Sequence, residues 1–208
     1  MDKKNKHILK NVGELYMRYG IRSVTMDDIA SELGISKKTL YQLFKDKEDL
    51  VNQVFDYFME NPMFELTRDK KGNAIDKLFS LRKHIATVLK SYNNNLEFDL
   101  KKYYPALYKK VIKFKKNKIF EDSVQNIQEG ISQGLFRDGL EVEFIAKLQV
   151  GRMLCTFNPN SGIFSENELS LIELFDKGID YHLHAICTEE GLKYYHKQLN
   201  NIHNEKNN

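Results

Sequence analysis

Lys38, Tyr41, Gln42 and Lys45 gather on one side of a helix that advances about 100° per residue, opposite Leu40, Leu43 and Phe44. These side chains bind rather than break bonds. Ammonium groups neutralise phosphates, a carboxamide pairs with an adenine edge, and a phenol reaches a phosphate while its ring lies on the groove wall. Lys47 adds to the pattern. A cation in the first turn of a helix opposes the helix dipole by a few tenths of a kcal/mol, which an approaching phosphate would relieve. The helix start at Thr25 offers a similar anion-binding position.

The elements that must hold this face are legible in the caps. Ile8, Val12, Leu15 and Tyr19 recur at helical spacing and stop at Gly20. Thr25 with Asp28 forms a capping-box pair, and Met26, Ile29, Ala30 and Leu33 carry a short helix to Gly34. Ser36 caps a third helix with Leu40, Leu43 and Phe44 inward. Asp46 and Asp49 bracket a fourth, continued by Leu50, Val51, Val54, Phe55 and Phe58. Two short helices joined by a glycine-containing turn, the second opening on a serine, have the pattern of a helix-turn-helix.

The 208 residues carry 32 basic and 29 acidic side chains, a net charge of +3 that does not by itself announce a nucleic-acid partner. Composition is that of a globular chain, with 41% hydrophobic and 29% charged residues. The three prolines leave long stretches free to be helical, so the expected fold class is all-α. The charged N-terminus is unlike a signal peptide, and no apolar run reaches the roughly 18 residues of a membrane span, so a cytoplasmic location without membrane contact is expected. Cys155 and Cys187 lack metal or dithiol spacing and are expected to pack in apolar surroundings. His182 and His184 diverge on a helix, so no metal site and no cofactor are expected.

The stretch TMDDIASELGIS from Thr25 to Ser36, continued by KKTLYQLFKDKEDL to Leu50, resembles the signature of the TetR family of regulators across roughly residues 7 to 55. The resemblance implies a dimer with a three-helix DNA-binding unit, a linking fourth helix, and a variable C-terminal domain that binds ligand and dimerises. It places DNA contacts on Thr25, Ser36, Lys37, Lys38, Thr39, Tyr41, Gln42 and Lys47. The helical wheel adds Lys45. The family commonly has tyrosine or histidine just before Phe44, where this chain has Leu43. One polar backbone contact is then lost, to be offset by Lys45 or the basic arm Lys3, Lys4 and Lys6.

Pro62 and the polar run at 68–73 set a domain boundary near residue 60. The expected organisation is a DNA-binding domain over 1–60, an all-helical effector and dimerisation domain over 61–197, and a polar, disordered tail over 198–208. Helices are expected at about 74–92, 96–103, 105–134, 141–157 and 166–188. Effector contacts are assigned to His84, Val88, Tyr92, Phe98, Tyr103, Phe120, Gln149, Met153 and Phe157, pointing to a hydrophobic or aromatic small molecule. A homodimer interface is assigned to Phe144 and Leu148 with the stripe Ile172, Phe175, Ile179, Leu183 and Ile186. The lysines between 109 and 118 read as a solvated face.

Together these features point to a ligand-responsive homodimeric repressor on a palindromic double-stranded operator. Control by a protein partner, or activation instead of repression, is an alternative consistent with the same residues. A recombinase-type enzyme is the other class. It lacks support, because no glycine-rich phosphate loop, Gly-x-Ser-x-Gly elbow or His-Glu-x-x-His motif occurs.

Overall fold

The computed structural model describes residues 3–61, 72–89, 95–156, 163–164 and 169–206. Among these residues every regular element is an α-helix, and the extended pairing is confined to one bridge between Phe136 and Cys187. No described helix is long and apolar enough to cross a membrane.

The first of two compact units holds α1 (Lys3–Tyr19), α2 (Met26–Glu32), α3 (Lys37–Leu43), α4 (Lys47–Glu60) and α6 (Asn95–Tyr103). The first residues of α7 (Pro105–Ser132) complete it. Its caps form as the residue types dictate. The Thr25 hydroxyl accepts from the Asp28 N–H at 3.1 Å while Asp28 accepts from the Thr25 N–H at 2.8 Å. Ser36 accepts from the Thr39 N–H and Asp46 from the Asp49 N–H, opening α3 and α4. At the end of α2, Gly34 takes the left-handed conformation at φ +63°, its N–H bonding Ser31 O and that of Ile35 bonding Ala30 O. This is a Schellman closure, and it sets the tight turn between the two short helices.

Ile8, Val12, Leu15, Ile29, Leu40, Phe44, Leu50, Val51 and Val54 bury together in one core. Tyr19, expected on the inner face of α1, is exposed, and Tyr16 is the buried tyrosine. Leu96 and Leu100 of α6, with Leu107 and Val111 of α7, close the same core. The units therefore do not divide at a single point near residue 60: 95–115 returns to the first. An amphipathic pattern says that a helix must be covered, not which core covers it.

The second unit contains α5 (Ala74–Leu89), the rest of α7, α8 (Val142–Thr156), α9 (Leu171–Ile186) and α10 (Glu189–Lys206). Ala74, Ile75, Leu78, Ile127, Phe136, Leu183, Ile186 and Tyr195 form its core. Within it α9 packs against both α5 and α8, and Arg82 of α5 pairs through two bonds with Asp176 of α9. The helix expected over 166–188 begins instead at Leu171, behind a Ser170–Glu173 capping box. A separate helix then runs from Glu189 to Lys206, across much of the stretch read from sequence as a disordered tail. Tyr195 is buried there, and the Tyr194 hydroxyl donates to Asp76 at 2.8 Å, which ties α10 to α5. Of the two cysteines expected to pack, Cys187 is buried and Cys155 is exposed.

His182 of α9 is buried, and burial first, then the charge of Arg152, pulls it from an ordinary 6.5 down to about 3. The unfolded chain takes up a proton near pH 6.5 that the folded chain refuses until about pH 3. Stability therefore falls as pH drops through that window. Urea unfolding between pH 7 and pH 4 is expected to show this loss, and a His182→Asn variant a shallower one; equal slopes would show that the imidazole does not contribute.

Candidate DNA-binding site

Three helix starts and one exposed helix face make up the site. Leu40 and Phe44 are anchored in the first unit's core, so the opposite side of α3 must face outward. Lys38, Tyr41 and Gln42 are exposed there, Tyr41 at 45%, while Lys45, also exposed, lies beyond the Phe44 C-cap in the turn before α4. Leu43 is half-buried and packs against the core, as a leucine rather than a polar anchor should. The wheel puts all four on one helix face; the structure keeps three on α3 and sets Lys45 outside the helix.

Thr25 and Ser36 sit exposed at the starts of α2 and α3, with their hydroxyls engaged in capping. The Ser36 hydroxyl also lies 2.8 Å from that of half-buried Thr39. Thr25 bonds hold the exposed Asp28 carboxyl below the ordinary carboxylate range. Lys37 is paired with Asp27 at 2.9 Å, which raises its pKa. Both partners are exposed and solvent screens the pair, so a phosphate can replace Asp27 at little cost.

Lys47 has a different setting. It is half-buried, and its Nζ donates to the Arg22 carbonyl at 3.4 Å. Burial pushes its pKa down, offset by the carboxylates of Asp99 and Asp28. Arg22 in turn donates its backbone N–H to Asp99 at 2.8 Å, and its guanidinium lies 5.0 Å from the Tyr103 ring centre and donates to the Tyr103 hydroxyl. This Arg22–Asp99–Tyr103 cluster fixes the turn after α1 against α6. Sequence reasoning missed it because Arg22 lies more than 75 residues from both partners, and the local trace is the left-handed Gly20 at φ +80° beside Asp99.

The residues assigned to an effector scatter. Phe98 and Tyr103 belong to α6 in the first unit, not to the second. His84 is exposed, with Nδ1 2.8 Å from the Ser80 carbonyl of its own helix. Val88, Phe120 and Met153 are partly buried in the second unit, where Gln149 is buried. Tyr92 and Phe157 lie outside the described residues. The stripe assigned to a partner subunit also divides. Phe175, Leu183 and Ile186 are buried within their own unit, Ile179 packs against that core, and Ile172 is half-exposed. Two apolar stripes on one helix do not say which faces inward; here most of the stripe assigned to a partner is covered by its own unit. Phe144 and Leu148 of α8 do remain exposed, at 57% and 56%, and Tyr181 of α9 at 77%.

Residues 8–54 match the family of bacterial regulatory proteins called the tetR family. An uncharacterized HTH-type transcriptional regulator of Bacillus subtilis, YerO, is 30% identical over 101 residues, which are 47% of this chain and 34% of that protein. The chain thus matches about a third of the length of that curated relative. A transcriptional regulator from Cytophaga hutchinsonii has a similar structure, with a TM-score of 0.64 and 25% identity over 90% of this chain and 100% of its own. FadR of Bacillus subtilis, solved in complex with stearoyl-CoA, shares the fold at a TM-score of 0.57 and 20% identity, over 87% of this chain and 98% of its own. That family is one of regulators rather than enzymes. With its two short helices, their caps and the outward face of α3 in place, residues 8–54 form the DNA-binding region of the tetR family of bacterial regulatory proteins.

Proposed function

We propose that the protein is a sequence-specific transcription regulator, a homodimeric repressor that binds a palindromic operator and is released by a small-molecule effector. The observation that carries the reading is the exposed row Lys38, Tyr41 and Gln42 on the second helix of the helix-turn-helix, with exposed Lys45 just beyond its end. A row of this kind has groups for both phosphates and base edges. Two copies related by a two-fold axis would read half-sites about one helical turn apart. Selection of bound DNA from a random pool is expected to return an inverted repeat. A pool with no enriched palindrome would overturn the reading.

Support for a dimer comes from Phe144, Leu148 and Tyr181, large apolar or aromatic side chains exposed on two helices that pack together. Leu148→Glu is expected to convert the dimer to a monomer in light scattering. Without the second half-site contact, operator binding should weaken by roughly 100-fold or more. A Leu148→Glu protein that stays dimeric would remove this face from the interface. Ligand response is supported by the shared fold of FadR, which holds stearoyl-CoA. The effector would act by favouring one dimer geometry over another.

A further inference from the structure

In the second unit, α8 brings Gln149 and Arg152 against His182 and Gly178 of α9. Gln149 and His182 are both buried. The Gln149 carbonyl oxygen accepts from Nε and Nη2 of Arg152, at 2.9 and 2.5 Å. Its amide nitrogen is then left to donate to Nδ1 of His182, which keeps that imidazole neutral. The remaining guanidinium nitrogen, Nη1, is buried, and among the described residues it has no hydrogen-bond partner and Arg152 has no ion pair. Burial alone draws Arg152 down to about 10.

Two locally unfavourable choices meet at this point. A buried charge without a counter-ion is among the costliest groups a fold can hold. Gly178 lies inside a helix without a left-handed backbone, so no turn requires it, and glycine there weakens the helix. A Cβ at 178 would lie 3.2 Å from Cζ of Arg152 and closer still to Nη1. The glycine thus makes the slot that the guanidinium occupies. Each choice is explained if the guanidinium must stand there with Nη1 unpaired within the chain.

We propose that Arg152, held by Gln149 and seated over Gly178, is the anchor for the carboxylate of a small organic monoanion, the effector class of the second unit. This rests on the ligand-responsive reading above. A carboxylate matches the planar guanidinium edge. With His182 neutral, the cluster carries a single positive charge, which one monoanion balances.

The test uses the full-length protein and a series of monocarboxylates, acetate, benzoate and octanoate, each compared with its neutral primary amide. At least one acid is expected to raise the melting temperature by roughly 5–10 °C at about 100 times its Kd, and its amide not to. Arg152→Met should melt a few degrees higher than the parent without ligand and lose the response to acid. Gly178→Ala, which keeps the charge but fills the slot, should weaken acid binding at least tenfold. The proposal is overturned if no acid gives a rise, or if Arg152→Met responds like the parent. It is also overturned if Arg152→Met melts lower and becomes monomeric, since Arg152 would then serve a carboxylate of a second copy. Release of selected operator DNA separates the two readings. An acid that binds through Arg152 without releasing DNA upholds the site and removes ligand response. Release that persists in Arg152→Met upholds ligand response and removes the site.

Discussion

Replacing Tyr41 with alanine is expected to abolish sequence-specific DNA binding while the protein melts within about 2 °C of the parent, since an exposed substitution rarely moves stability by more than about 0.5 kcal/mol. Tyr41 stands out on α3 between Lys38 and Gln42, with no capping or core role. In a dimer the substitution is made twice. If each tyrosine, with its ring on the groove wall and its hydroxyl on a phosphate, is worth about 1–3 kcal/mol, the loss is about 2–6 kcal/mol, enough to bring operator binding down to the non-specific background. Lys38→Ala provides the contrast. A lysine that neutralises one phosphate per half-site should weaken binding to all sequences alike and reduce the salt dependence by roughly one counter-ion per subunit. Binding by titration against operator and scrambled duplex at two salt concentrations separates the effects. Tyr41→Ala retaining the preference for operator would take Tyr41 out of the recognition face.

The features that were legible in the sequence are those fixed by near neighbours. Thr25 with Asp28, Ser36 with Thr39 and Asp46 with Asp49 are bonds across three residues, so caps and helix starts could be read from residue type and spacing. The face of α3 followed because Leu40 and Phe44 declare its inner side. What could not be read depends on distant partners. Phe98 and Tyr103 joined the first unit because Arg22 and Asp99 meet across 77 residues, a pairing with no local trace. Phe175 and Leu183 face their own core because α5 and α8 cover that side of α9. Arg152 carries no local signal in the sequence. Its significance depends on the missing side chain at Gly178, 26 positions away. Helix α10 was obscured for a related reason. Its polar composition masks the alternation of Leu192, Tyr195 and Leu199, which suffices once Thr188 and Gly191 dock its start.

That docking makes Gly191→Ala the substitution with the largest expected effect on stability. A Cβ at 191 would lie 3.0 Å from the carbonyl carbon of Leu135, closer still to its oxygen, and 3.2 Å from Cβ of Cys187. The Leu135 oxygen is not free to yield. It accepts from the Thr188 N–H at 3.0 Å and from the Thr188 hydroxyl at 3.2 Å, while that hydroxyl also accepts from the Gly191 N–H. Just beyond, Arg137 N bonds Ile186 O and Phe136 pairs with Cys187 across the bridge. Adding one methyl group must therefore push α10 off the 134–137 turn and break several of these bonds together. A loss of roughly 3 kcal/mol or more is expected, or about 6–12 °C in melting temperature. The same change at Gly151 should act in the opposite direction. Nothing within the chain lies within 4 Å of a Cβ there, so alanine gains about 0.5–1 kcal/mol of helix stability. Differential scanning calorimetry of the two variants checks both signs. If Gly191→Ala melted with or above the parent, the start of α10 would have to sit away from Leu135, and the covered side of the Phe136–Cys187 bridge would be open instead.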